Sequence, residues 1–195
     1  MQDDVFNPIN SLKLKGLSNH FNNIYKLYLN KKMPSVLLLS GEKGVGKLTL
    51  VHHLMNYIFD ENHYDNEKLT INTNSPFYNQ YKNKIFENII LFEKKINSII
   101  KIDEIRQLKE NISKTVLNDK PRFIILDEIE NYNLNSLNAL LKIIEEPSNN
   151  YFILVNNRST NLLETIKSRS IEYNITLNEN AKNDIKQFIV NNFSV

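Results

Sequence analysis

The stretch Gly41-Glu42-Lys43-Gly44-Val45-Gly46-Lys47 combines the residue types that hold a phosphate. Glycines let backbone N–H groups turn inward around phosphate oxygens, a helix N-terminus adds a favourable dipole, and a lysine supplies a charge for the β and γ phosphates. An apolar run at residues 35–40 precedes the loop, and Leu50, Val51 and Leu54 follow it at helical spacing. The loop thus joins a strand to a helix, the context in which Gly41, Gly44, Val45, Gly46 and Lys47 can bind ATP. It fills the first seven places of the Walker A pattern. The eighth is Leu48, where a Ser or Thr hydroxyl would ligate Mg²⁺, and Thr49 comes one residue late. One step along a helix turns a side chain by about 100°, so Thr49 substitutes only after local rearrangement, and weak or absent turnover is expected.

Downstream, Phe123-Ile124-Ile125-Leu126-Asp127-Glu128 reads as a Walker B strand. Four apolar residues lead to Asp127, placed to hold Mg²⁺ through water, and to Glu128, placed to activate an attacking water. Other chemistry is thinner. His52 and His53 are neighbours on the predicted helix, where adjacent side chains cannot face one ligand, and helix-surface or core-edge roles are expected. Residues 60–84 are polar, with Tyr64, Phe77, Tyr78 and Tyr81 near Lys82 and Lys84. They are expected to form a loop packing its aromatics onto the sheet, stacking on nucleic-acid bases being the alternative. With no cysteine there is no disulfide, thiolate zinc site or cysteine nucleophile.

These residues need a scaffold to bring them together. Continuous apolar runs at residues 35–40, 88–92, 123–126 and 151–155, with a weaker one at 171–175, predict buried parallel strands. Between them, Asp103 is the expected N-cap of a helix with Ile105, Leu108, Ile112 and Val116 on one face. A second helix aligns Leu137, Leu140, Leu141 and Ile144 before Pro147 stops it. The alternation predicts an α/β fold: a three-layer domain with a central parallel five-stranded sheet, helices on both faces, and ligands at the carboxyl ends of the strands. Residues 1–176 are expected to form this nucleotide-binding base. Ala181, Ile185, Phe188 and Ile189 mark one further amphipathic helix within 177–195, the expected start of another domain.

The 195 residues can bury one substantial core. Apolar residues at 41% and charged residues at 24% are ordinary globular usage. The 24 basic and 22 acidic side chains, net +2, are scattered without a basic arm, so any nucleic-acid contact must be local. The acidic, polar start MQDDVFNPIN lacks the pattern of a secretory signal, and no stretch reaches the roughly 18 apolar residues that span a bilayer. A soluble, cytoplasmic protein with no membrane association is expected. The abundance of Asn is read as a coding bias and not as a functional signal.

Three further segments carry a family resemblance. Asn138-Ala139-Leu140-Leu141-Lys142-Ile143-Ile144-Glu145-Glu146-Pro147 resembles the NALLKxLEEP helix of clamp-loader AAA+ subunits. Ile102-Asp103-Glu104-Ile105-Arg106 is similar to that family's V-D-x-I-R helix start, and Thr165-Ile166-Lys167-Ser168-Arg169-Ser170 to its T-I-x-S-R-C segment, with Ser170 for Cys. The resemblance covers roughly residues 15–175. It implies that Arg169 reaches ATP on an adjacent subunit as a trans-acting finger, and that Asn157, after the 151–155 strand, is the sensor of the γ-phosphate or attacking water. It also implies a place in the bacterial DNA polymerase III loader, with gamma/tau-type ATPase subunits, a delta subunit, the sliding clamp and primed DNA as partners. ATPase subunits of such loaders usually carry a four-cysteine zinc module where this chain has residues 60–84; that absence of zinc, together with Leu48, points to a stator with little hydrolysis of its own. An active ATPase subunit and a scaffold with a vestigial loop are the alternatives. Family members continue into lid and collar domains, so a truncated or shortened chain with impaired ring assembly is expected.

Overall fold

The computed structural model describes residues 7–93, 102–113, 120–146, 149–157 and 162–193. Val116 and Pro147, expected on a helix face and at a helix stop, lie outside the described residues. The chain divides into two compact units with interleaved segments: Pro34–Lys43 with Phe86–Asn174, and Met1–Met33 with Gly44–Ile85 and Ile175–Val195.

The first unit is built on a five-stranded parallel sheet in the order β4-β5-β6-β1-β7. The strands are β1 (Val36–Ser40), β4 (Ile89–Phe92), β5 (Arg122–Leu126), β6 (Asn150–Asn156) and β7 (Ile171–Asn174). β1 sits between β6 and β7, with Leu38 opposite both Leu154 and Glu172. Every residue of β1 and β5 is buried, which is why these strands read as unbroken apolar runs and not as alternating ones. One face, with Val36, Leu38, Ile124, Leu126, Phe152 and Leu154, packs on α4 (Ile102–Ser113) and α5 (Leu134–Ile144) through Ile105, Leu108, Leu137, Leu140 and Ile143. Each such aliphatic side chain contributes about 1.5–3 kcal/mol by leaving water. Asp103 lies inside the first turn of α4 and not before it; its carboxylate accepts a hydrogen bond from Arg106 at 3.1 Å. The other end of α4 is closed by Arg122, whose Nη1 donates to the carbonyls of Asn111 and Ile112 at 3.1 and 2.8 Å. α5 starts at Asn133, whose side chain accepts from the Ser136 N–H at 2.8 Å. The four-residue α6 (Glu164–Lys167) precedes β7.

The second unit holds α1 (Ser18–Leu29), α2 (Lys47–Phe59), a hairpin of β2 (Tyr64–Asp65) with β3 (Thr70–Ile71), α3 (Pro76–Lys82) and α7 (Glu179–Phe193). Residues 60–84 are thus not a loop. Ser75 caps α3 by accepting the Tyr78 N–H at 3.0 Å, with Pro76 in its first turn. Their aromatics are buried among one another and the helices: Tyr64 stacks on Phe21 with centroids 5.6 Å apart, and Phe77 lies between Phe59 and Tyr81, 5.4 Å from each. At 2–6% exposure, Tyr64, Phe77, Tyr78 and Tyr81 present no face for a nucleic-acid base. Gly16 adopts φ +70°, and a Cβ there would stand 2.9 Å from that of Ala181. α7 therefore lies close along the Gly16 turn, and Lys15 Nζ sits 3.7 Å from the Phe188 ring centroid.

Candidate functional site

The glycine loop leaves the carboxyl end of β1, where the Gly41 N–H donates to the Asn156 carbonyl at 3.3 Å. Gly44 and Gly46 take φ of +85° and +89°, a left-handed conformation that L side chains disfavour. Gly46 then caps α2, whose first turn closes with the Leu50 N–H on the Gly46 carbonyl at 2.8 Å. Val45 is half-buried, and Lys47, the first residue of α2, is almost wholly buried. Leu48 packs into the interior at 8% exposure, so the place of a hydroxyl is taken by a buried isobutyl group. Thr49, half-buried, faces another direction on the same turn.

Asp127 and Glu128 follow β5. The Asp127 N–H donates to the Phe92 carbonyl at 2.9 Å. Glu128 adopts φ 46° and ψ 49°, a left-handed conformation that is strained for a non-glycine residue. Its Oε2 accepts from Asn131 Nδ2 at 2.9 Å. Its Oε1 lies 3.5 Å from both Asn157 Nδ2 and Lys43 Nζ. The Asn157 N–H in turn donates to Glu130 Oε2 at 3.2 Å. The structure therefore brings Asn157 beside Glu128 and adds three groups not anticipated from sequence: Lys43, Glu130 and Asn131. Among the described residues no three His, Asp or Glu side chains converge as metal ligands.

Burial, followed by the charges of Glu128, Glu93 and Glu130, raises the Asp127 pKa to about 6 despite a backbone hydrogen bond that opposes the shift. A carboxylate held above its unfolded pKa costs stability: the cost appears as pH rises from about 4 through 6 and is constant above. Such a repelled carboxylate suits a cation. Asp127→Asn is expected to raise unfolding free energy by about 2–3 kcal/mol at pH 8, with the gain vanishing near pH 4. Urea unfolding of both proteins at the two pH values checks this, and equal stability at pH 8 would show that the carboxylate is not under strain.

Arg169 is not part of that cluster. It follows α6, donates from Nε to Glu145 Oε1, and from Nη1 to the Thr165 carbonyl at 3.1 Å.

His52 and His53, expected at the helix surface or core edge, are both interior residues at 1% and 0% exposure. His52 Nδ1 pairs with the Tyr81 hydroxyl at 2.5 Å; His53 Nδ1 pairs with the Tyr64 hydroxyl and its Nε2 with the Ser11 carbonyl, both at 2.8 Å. No periodic signal finds them: at 100° per residue Thr49, His52, His53 and Asn56 share the polar side of α2, opposite Leu48, Leu50, Val51, Leu54 and Met55, yet His52, His53 and Asn56 are buried as well.

The family described as "DNA polymerase III, delta subunit" matches residues 16–179. The DNA polymerase III subunit delta' of Buchnera aphidicola (Schizaphis graminum) is 29% identical over 166 residues, 80% of this chain and 47% of that protein. The subunit gamma of the same organism is 31% identical over 161 residues, 81% of this chain and 42% of that one. Among solved structures, a DNA polymerase III gamma subunit-related protein from Thermotoga maritima superposes with a TM-score of 0.62 at 19% identity, covering 86% of this chain and 49% of its own. The fold is that of AAA+ P-loop domains. The chain spans about half the length of the relatives it matches. No helix among the described residues is long and apolar enough to cross a membrane.

Proposed function

We propose a function for this chain from one premise: it belongs to the DNA polymerase III delta-subunit family. It is a delta-prime-type subunit that takes part in loading the sliding clamp onto primed DNA, beside gamma/tau-type ATPase subunits and a delta subunit. It acts as a stator. Residues 41–47 hold the phosphates of ATP through backbone N–H groups and the Lys47 charge, while Asp127 carries Mg²⁺ through water when the metal is present. Glu128 and Asn157 would orient water at a site whose turnover is weak or absent. Arg169 serves a neighbouring subunit's nucleotide.

The observation that carries this reading is Leu48: a buried apolar side chain where Mg²⁺ needs a hydroxyl, next to an intact glycine turn. Titration calorimetry of ATP with and without Mg²⁺ tests it. Weak binding that is nearly indifferent to Mg²⁺ is expected, Lys47→Ala abolishes it, and Leu48→Thr confers Mg²⁺ dependence. If Leu48→Thr changes neither magnesium dependence nor turnover, the missing ligand is not the cause. Unchanged affinity in Lys47→Ala would mark a vestigial loop.

The similarity to a gamma subunit favours a second reading, an ATPase in its own right with Thr49 or water as the ligand. Steady ATP turnover by the magnesium-loaded chain supports that reading against the stator.

A further inference from the structure

Arg169 is anchored from within its own unit. Its Nε–H donates to Glu145 Oε1, and its Nη1 donates to the Thr165 carbonyl at 3.1 Å and to Ser168 Oγ at 3.4 Å. Glu145 is the C-terminal cap of α5 and Thr165 lies in α6, so two separate backbone segments grip one guanidinium. These bonds engage Nε and Nη1. Nη2, with two N–H groups, has no hydrogen-bond acceptor among the described residues, and 40% of the side chain is exposed. The adjacent Glu146 is engaged elsewhere, its Oε1 accepting from Lys109 of α4 at 2.5 Å.

We infer that Glu145 is a positioning residue for Arg169, clamping Nε–H so that the Nη2 edge is presented outward as a pre-oriented donor for a phosphate of ATP bound to the adjacent subunit. The inference rests on the reading of Arg169 as a trans-acting finger. The physical basis is order. An unanchored arginine samples many rotamers and loses them on engaging a phosphate, whereas a planar fork fixed at Nε and Nη1 has lost them beforehand. The rate of a reaction whose charge is stabilised by that fork depends on its placement to within a fraction of an ångström. An exposed pair of this kind adds little to stability, so Glu145 variants keep the fold.

The test uses the loader assembled with its ATPase subunits, together with the chain alone. In the loader, Glu145→Ala is expected to lower ATP turnover about tenfold through kcat, with the ATP KM unchanged. Glu145→Gln keeps an acceptor oxygen for Nε–H and should lose less than about threefold, and Glu145→Ala added to Arg169→Ala should cost nothing further. On the chain alone, the Arg169 Nε–H proton is expected to be protected from exchange with water in wild type and Glu145→Gln, and exposed to it in Glu145→Ala. If Arg169→Ala slows turnover and Glu145→Ala does not, or if Glu145→Ala slows it equally in both backgrounds, the positioning role is overturned while the finger stands. If Arg169→Ala itself leaves turnover unchanged, the finger reading fails and the role of Glu145 with it.

Discussion

Arg169→Ala is expected to slow ATP hydrolysis by the assembled loader on the order of 10³-fold or more at the site this subunit adjoins, leaving other sites and this chain's own nucleotide binding unaffected. Charge develops on the transferred phosphoryl group, and a guanidinium aimed at it from another subunit contributes about 4 kcal/mol or more of barrier lowering in phosphoryl-transfer enzymes. The fold should survive, because the side chain is 40% exposed and its carboxylate partner 48%, a setting in which an ion pair contributes about 0–1 kcal/mol. Arg169→Lys keeps the charge but loses the planar fork, including the Nε–H that meets Glu145, and should recover little. Single-turnover hydrolysis with each ATPase site inactivated in turn assigns the defect to one site. Equal rates for wild type, Arg169→Ala and Arg169→Lys would sink the finger, and loss of folding in the alanine variant would mark Arg169 as structural.

Acid is expected to unfold this protein steeply. Burial holds the His52 pKa down to about 3, helped by the charges of His53 and Lys84; burial likewise lowers His53 to about 4, against a hydrogen bond to Ser11 that works the other way. Both rings are neutral in the fold and take up protons once unfolded, from about pH 6.5 downwards. The stability they protect is complete above that value and is lost as pH falls towards 4 and 3. Each histidine forfeits about 3 kcal/mol between pH 7 and pH 4, together comparable with the whole stability of an ordinary domain. Among the described residues His52 Nε2 has no hydrogen-bond partner, so a proton added there is stranded. Unfolding free energy measured between pH 4.5 and 6 should show net uptake of about one proton, the two taken up by the histidines less about one released by Asp127, and about none in His53→Gln. An identical slope in the two proteins would mean that His53 titrates normally.

The strands are legible in the sequence because burial on both faces makes each a continuous apolar run, and the glycine turn at residues 41–47 and the strand end at Asp127 and Glu128 are legible because their residues are contiguous. Strand order is not: nothing within Val36–Ser40 says that β6 lies on one side and β7 on the other. The ion pairs between segments are hidden for a related reason. Lys43 with Glu128 and Glu145 with Arg169 join distant, partly exposed side chains, and a surface ion pair leaves no periodic trace in either segment. Residues 60–84 read as a loop because two-residue strands and a seven-residue helix are too short to display a period. The Ser75-Pro76 pair is a legible helix start all the same. For His52 and His53, the facing of adjacent residues is the wrong guide, because the hydroxyls they meet belong to Tyr81 and Tyr64 of the segment 60–84.

The central place of β1 sets a timetable for synthesis. On the ribosome, Val36–Ser40 emerges before every other strand of the sheet, yet its partners begin at Asn150 and Ile171. Throughout that interval five residues destined for full burial have no strand to pair with. β5 likewise waits for β6, although its other neighbour, β4, is made before it. Long-range parallel pairing of this kind is slow and leaves sticky segments exposed while it is pending. The nascent chain is therefore most prone to aggregation between the completion of Ser40 and the arrival of β6, and chaperone capture should peak on ribosomes stalled within that window and fall once Asn156 has cleared the exit tunnel.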